Sequence, residues 1–275
     1  MSGGRRATRL PGFPLALGIA LIGLSLVVLL PILALALSAL KLDGETLRRT
    51  AGDPRVLAAV RLSLGTALGG AVGASAAGLL VAWVLVRYRF PLRRLVDALI
   101  DLPFALPTAI AGIALTTLWA PTGWLGRPLA ALGVKVAFTP LGIVLALVFL
   151  GLPFSVRTLQ PVLESLDPEV EEAAASLGAT RLDVVVRILL PELLPAWLTG
   201  FTLAFARGLG EYGSVVFISG NMPMRTEVAP LLVMTKLEQY DYAGATALAA
   251  LLLVLSFVLL LVANRLQARS AEAGA

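Results

Sequence analysis

Six stretches of this chain are so long and so uniformly apolar that the backbone has few choices of structure. They cover residues 15–40, 62–86, 95–119, 139–156, 197–219 and 243–263. A run of about 20 apolar residues matches the hydrocarbon thickness of a bilayer. Inside that layer every N–H and C=O needs an internal partner, so such runs form helices. The first run follows Arg5, Arg6 and Arg9, as a secretion signal would. It is longer than a signal's apolar stretch and continues past Pro31, so it reads as a retained span. The expectation is an all-α integral membrane protein, a six-span bundle.

Composition supports the same class. Only 14% of residues are charged and 58% are hydrophobic, against about 25% charged in a soluble domain. There is no histidine and no cysteine. Disulfides, thiol nucleophiles, the usual zinc and haem ligands and the proton shuttle near neutral pH are therefore excluded. The net charge of +5 sits in short clusters beside the apolar runs, as membrane topology requires, and does not indicate nucleic-acid binding.

Six spans put both termini on one side. Arg87, Arg89, Arg93 and Arg94, packed into the very short loop after the second span, place that loop and the termini in the cytoplasm. Residues 1–14 and 268–275 are then cytoplasmic tails around a membrane-spanning core at 15–267. In the second span Gly65, Gly69 and Gly73 recur every four residues, with Gly70, Ala74, Ala77 and Gly78 nearby. Small residues on one stripe let two helix backbones approach closely. The reading is packing inside the bundle, with a subunit interface as the alternative. Pro103 and Pro107 predict a kink or break in the third span.

Between the fourth and fifth spans lies a polar segment, 167–191, with the signals of two short helices. Asp167 suits an N-cap, Pro168 the first helical position, and Glu169, Glu171 and Glu172 the positive helix start. Val170, Ala173, Ala174 and Leu177 form a shallow apolar face, and Gly178 is the C-terminal stop. A second helix starts at Thr180, with Asp183 completing a capping box, and ends at Pro191. A DNA-binding helix-turn-helix is disfavoured by the acidic first helix, and a plain connector on the membrane surface leaves the small-residue face unused. A docking element that enters a groove on a soluble partner fits best.

The string Glu172-Ala173-Ala174, three residues, Gly178, nine residues, then Ile188, Leu190 and Pro191 matches the EAA loop of ATP-binding-cassette import permeases at every spacing. The chain thus resembles the type I importer permeases, with their MetI-like fold. The segments Leu209-Gly210-Glu211-Tyr212-Gly213-Ser214 and Gly220-Asn221-Met222-Pro223 and the stretch 236–247 resemble, within that family, the T-type permease of sulfate/thiosulfate importers. The likeness spans residues 12–267. It implies that Glu172, Ala173, Ala174, Gly178, Ile188, Leu190 and Pro191 couple the permease to two ATPase subunits. It implies further a second, different permease chain and a separate periplasmic sulfate-binding protein. ATP and magnesium would sit on the partner ATPase, with no cofactor on this chain. Molybdate or tungstate is the alternative cargo.

Arg207 and Glu211 stand four residues apart in the predicted fifth span, on one helical face. Charges inside a span face a partner or a wet cavity; the readings are a structural ion pair or a gate on the translocation path. A dianion passes most readily along N–H and hydroxyl donors that bind it weakly, which makes Ser214, Ser219 and Asn221 candidates for that path. Other classes fare worse. Asp97 and Asp101 do not form the paired magnesium-binding aspartates of a polyprenyl-transfer enzyme. A serine protease lacks its histidine. No phosphate-binding Gly-rich loop with its lysine occurs, so ATP hydrolysis falls to another polypeptide. A secondary transporter would carry carboxylates deep in several spans, and only Glu211 qualifies. No catalytic residue and no metal site is expected.

Overall fold

The computed structural model describes residues 12–273. Arg5, Arg6 and Arg9 and the last two residues of the C-terminal tail lie outside the described residues. The elements are all helical: α1 (Phe13–Leu40), α2 (Gly44–Gly52), α3 (Pro54–Arg87), α4 (Arg93–Ile100), α5 (Leu102–Ala105), α6 (Thr108–Trp119), α7 (Gly126–Ala131), α8 (Pro140–Ser165), α9 (Pro168–Ser176), α10 (Arg181–Leu209), α11 (Val215–Ser219), α12 (Ala229–Glu238) and α13 (Tyr242–Ala273). Five of them, α1, α3, α8, α10 and α13, are long and apolar enough to cross a membrane. The third predicted span is not one helix. It is divided into α4, α5 and α6, because Pro103 and Pro107 each remove a donor from the helical ladder.

The centre of the bundle is α3, α8 and α10. Gly70, Ala74 and Gly78 of α3 meet Leu147, Gly151 and Ser155 of α8, so both helices present four-residue ridges to each other. A Cβ on Gly70 would lie 2.5 Å from Leu147 Cβ, and one on Gly78 would lie 2.4 Å from Ser155 Cβ. Gly151 makes the reciprocal approach, a Cβ there falling 2.9 Å from Ala74 Cβ. The closest stripe is therefore offset from the one expected. Gly69 and Gly73 touch only the side chains of Val144 and Val148, and Gly65 has open space. From α10, Gly200 lies against Ser155 and Thr158, and the Trp197 indole donates to the Ser75 carbonyl at 3.1 Å. Such close approach supplies dispersion contacts that lipid tails cannot match.

Two long helices pass through a proline by widening one turn. In α1, residues Ser25–Leu29 form a π turn just before Pro31, and the Leu30 N–H donates to the Ser25 carbonyl. In α10, Val185–Leu189 does the same before Pro191, with Leu190 N–H donating to Val185 O. Pro191 therefore does not end the second loop helix as expected. The π turn absorbs the proline, and the helix runs unbroken into the span, starting well before residue 197. At its other end α10 stops at Leu209, and Val215–Ser219 is a separate short helix.

Arg157 of α8 holds the broken third segment. Its guanidinium reaches Asp101 Oδ1 at 2.9 Å and Oδ2 at 2.6 Å, Asp97 Oδ1 at 2.7 Å and the Asp97 carbonyl at 2.9 Å. Phe104 packs edge-on against Phe154 at 5.0 Å between centroids. The two aspartates thus serve one arginine.

Candidate coupling loop and charged turn

The helix α9 follows its local sequence signals closely. Asp167 caps it, the carboxylate accepting from the Glu169 N–H at 2.9 Å, with Pro168 in the first turn. At the far end, Gly178 adopts φ +87°. The Gly178 N–H donates to Ala175 O at 3.0 Å and the Ala179 N–H to Ala174 O at 3.0 Å. That pair of bonds is a Schellman stop, which needs a left-handed residue at its turn. Thr180 and Asp183 form the capping box that starts α10, with reciprocal contacts of 3.2 Å.

The outcome is a short helix with one face left open. Glu172, Ala173 and Gly178 are exposed and Ala174 is half-buried. Leu177 is 90% exposed and Leu182 72%. Apolar side chains so open at the tip of a turn form a surface suited to a partner. Ile188 and Leu190 are half-buried on α10 and Pro191 is exposed, so the last part of the motif belongs to the span and not to the loop. A Cβ at Gly178 would meet no neighbour within 4 Å, yet the left-handed backbone would oppose a β-branched residue by about 1–2 kcal/mol. Gly178→Val is expected to leave membrane insertion intact while ATP-driven uptake falls several-fold. Uptake equal to wild type would remove this turn from the coupling path.

The Gly-Glu-Tyr-Gly turn is the second charged feature. Glu211 lies beyond the end of α10, so it does not share a helical face with Arg207; the chain turns back, with Glu211 N–H on Gly208 O at 3.2 Å. The two charges nevertheless meet, Arg207 Nη1 to Glu211 Oε2 at 2.5 Å. Glu211 Oε1 also accepts from the Ser214 N–H at 2.8 Å and the Ser214 hydroxyl at 2.9 Å. The Glu211 side chain is 2% accessible and that of Arg207 37%. The turn is wedged onto α6: a Cβ on Gly213 would lie 2.1 Å from Thr108 Oγ1, and one on Gly112 2.5 Å from the Ser214 carbonyl.

Ser214 and Ser219 are fully buried, and the Ser219 hydroxyl accepts from Asn221 N–H at 3.1 Å. Neither hydroxyl meets a solvent-filled surface of this chain. Gly220 and Asn221 both carry positive φ, 69° and 45°, and reverse the chain towards α12. Sequence reasoning missed the clamp that holds this reversal. Arg55 of α3 grips Glu227 with two bonds of 2.7 Å, the Glu227 side chain being 1% accessible. Nearby, the Ala229 N–H donates to Ser63 Oγ at 2.8 Å. Residues this distant in sequence leave no spacing to read. At the other end of α12, the Lys236 ammonium and the Gly244 N–H hold the Asp241 carboxyl below its usual range.

Comparison with known proteins places this geometry. Residues 74–272 match the family described as binding-protein-dependent transport system inner membrane component. The chain is 46% identical to the sulfate transport system permease protein CysT of Salmonella typhimurium, over 94% of each chain. It is 48% identical to the protein of that name from Synechocystis, over 90% of this chain and 87% of the relative. The probable sulfate permease of Nephroselmis olivacea shares 52% over 78% of this chain and 76% of its own length. Among solved structures, a bacterial ABC transporter involved in the import of alginate matches with a TM-score of 0.75 at 18% identity, over 94% of this chain and 96% of the other. The MetNI methionine ABC transporter matches with a TM-score of 0.58 at 18% identity, covering 78% of this chain and 95% of the other. The fold is that of a type I ABC importer permease, and the chain belongs to the family of binding-protein-dependent transport system inner membrane components.

Proposed function

We propose that this chain is the T-type permease subunit of a sulfate importer, carrying sulfate or thiosulfate through the membrane at the expense of ATP hydrolysed elsewhere. The observation that carries this reading is the extent of the likeness to sulfate permeases, 46% identity over 94% of the chain. The loop supports the mechanism. Helix α9, with its small-residue face at Ala173 and Ala174 and its open Leu177, fits a cleft on an ATPase subunit. Its two ends continue into α8 and α10, so motion of α9 moves two of the three central helices. ATP and magnesium are bound by that ATPase, and this chain contributes no catalytic group. The cargo arrives from a periplasmic binding protein, and a second, different permease completes the path. The Arg207–Glu211 turn borders that path, with Asn221 in the adjoining reversal. The loop and both termini face the cytoplasm.

The test is uptake by the whole complex in proteoliposomes, with the neighbouring permease, ATPase and binding protein. Radiolabelled sulfate should enter only with ATP, and an equal concentration of molybdate should leave the rate unchanged. Molybdate uptake without sulfate uptake would overturn the substrate assignment.

A further inference from the structure

The cytoplasmic arginine cluster after α3 serves topology, but the structure gives its first member a second task. Arg87 is the last residue of α3, and its Nη2 stands 2.5 Å from Glu171 Oε1 in α9. The guanidinium also lies over the Trp83 ring, 5.4 Å from its centroid, a stacking that fixes its direction. Both side chains are largely covered, with 22% and 28% of their surface accessible. Among the described residues, this is the ion pair that joins α9 to another helix.

The location matters more than the pair's own strength. Helix α9 is covalently continuous with α8 and α10 but not with α3. Yet α3 is the helix whose Gly70, Ala74 and Gly78 are pressed onto α8. If α9 is displaced by a partner, α8 and α10 follow through the chain. The end of α3 follows only through packing and through Arg87. A largely covered pair, stacked on an aromatic ring, resists separation better than a freely solvated one, because the alternative leaves two charges near apolar surface.

We propose that Arg87 and Glu171 form a positioning pair that makes α3 move with the coupling loop, so that all three central helices respond to the ATPase together. This rests on the reading of α9 as the docking element. Neither residue touches cargo or nucleotide.

The experiment uses the complete reconstituted complex and reads sulfate taken up per ATP hydrolysed, beside co-purification of the ATPase. Glu171→Gln and Glu171→Arg are expected to lower that ratio roughly three- to thirtyfold, with ATPase co-purification unchanged. Arg87→Glu should do the same, and the exchanged pair Arg87→Glu/Glu171→Arg should recover most of the ratio. A wild-type ratio in the Glu171→Gln variant would overturn the proposal, as would an exchanged pair no better than its singles. If exchange variants fail to insert, Glu171→Gln decides alone. Ala173→Phe is the control for the underlying reading. Normal ATPase co-purification in that variant would mean that α9 does not dock, a failure distinct from loss of the pair.

Discussion

Gly78→Val is expected to deplete folded protein from the membrane, whereas Gly65→Val is expected to be tolerated. The difference lies in what each new side chain meets. At Gly78 even a Cβ falls 2.4 Å from Ser155 Cβ and 3.3 Å from its carbonyl carbon, so the backbone of α8 must retreat. Ser155 cannot turn aside, because it is fully buried between α3 and the Gly200 region of α10. Overpacking in a close-packed site costs about 1–3 kcal/mol and more where backbone is forced to move. Valine at Gly78 belongs at the upper end, and it parts two helices whose attraction is dispersion across a close interface. At Gly65 nothing lies within 4 Å. Detergent-extracted protein that runs as a single species should fall several-fold for Gly78→Val and stay near wild type for Gly65→Val. Equal yields would mean that the α3–α8 interface is looser than its geometry implies.

These positions also show where sequence reasoning works and where it stops. The caps of the loop at 167–191 were legible because each depends on residues within five positions: Asp167 with Glu169, Thr180 with Asp183, Gly178 with Ala175 and Ala179 with Ala174. The glycine stripe was legible as a packing surface but not in register. Gly69 and Gly70 lie about 100° apart around a helix, both are small, and only the position of α8 decides which one is pressed. Pro191 misled for a different reason. The rule that proline ends a helix assumes an α ladder, and a five-residue π turn at Val185–Leu189 supplies a way through. The ion pairs divide in the same manner. Arg207 and Glu211 were legible as partners by spacing, although the turn at Gly208–Glu211 brings them together and not a shared face. Arg157 with Asp97 and Asp101, and Arg55 with Glu227, join residues far apart in sequence. No periodicity announces such pairs; the Arg55–Glu227 pair answers a carboxylate that the fold buries.

The Arg207–Glu211 turn carries the other large expected effect, and its asymmetry makes it testable. Glu211 is the buried member, ion-paired with Arg207 and accepting twice from Ser214. Arg207→Ala leaves that carboxylate buried without its countercharge, a loss of about 3 kcal/mol or more. Glu211→Gln keeps an oxygen for Ser214 and leaves behind an arginine with 37% of its side chain accessible, which water can reach; about 1 kcal/mol is expected. The double variant Arg207→Ala/Glu211→Gln should therefore be more stable than Arg207→Ala alone, since no buried charge remains. Thermal unfolding of the purified complex checks that ordering, and a double variant no more stable than Arg207→Ala would contradict it. Uptake separates the two roles of the pair. A pair that only braces the turn against α6 would regain transport along with stability. On the proposed reading, in which the accessible guanidinium borders the translocation path, the double variant should fold well and still carry sulfate slowly, and wild-type uptake would reduce Arg207 to a brace.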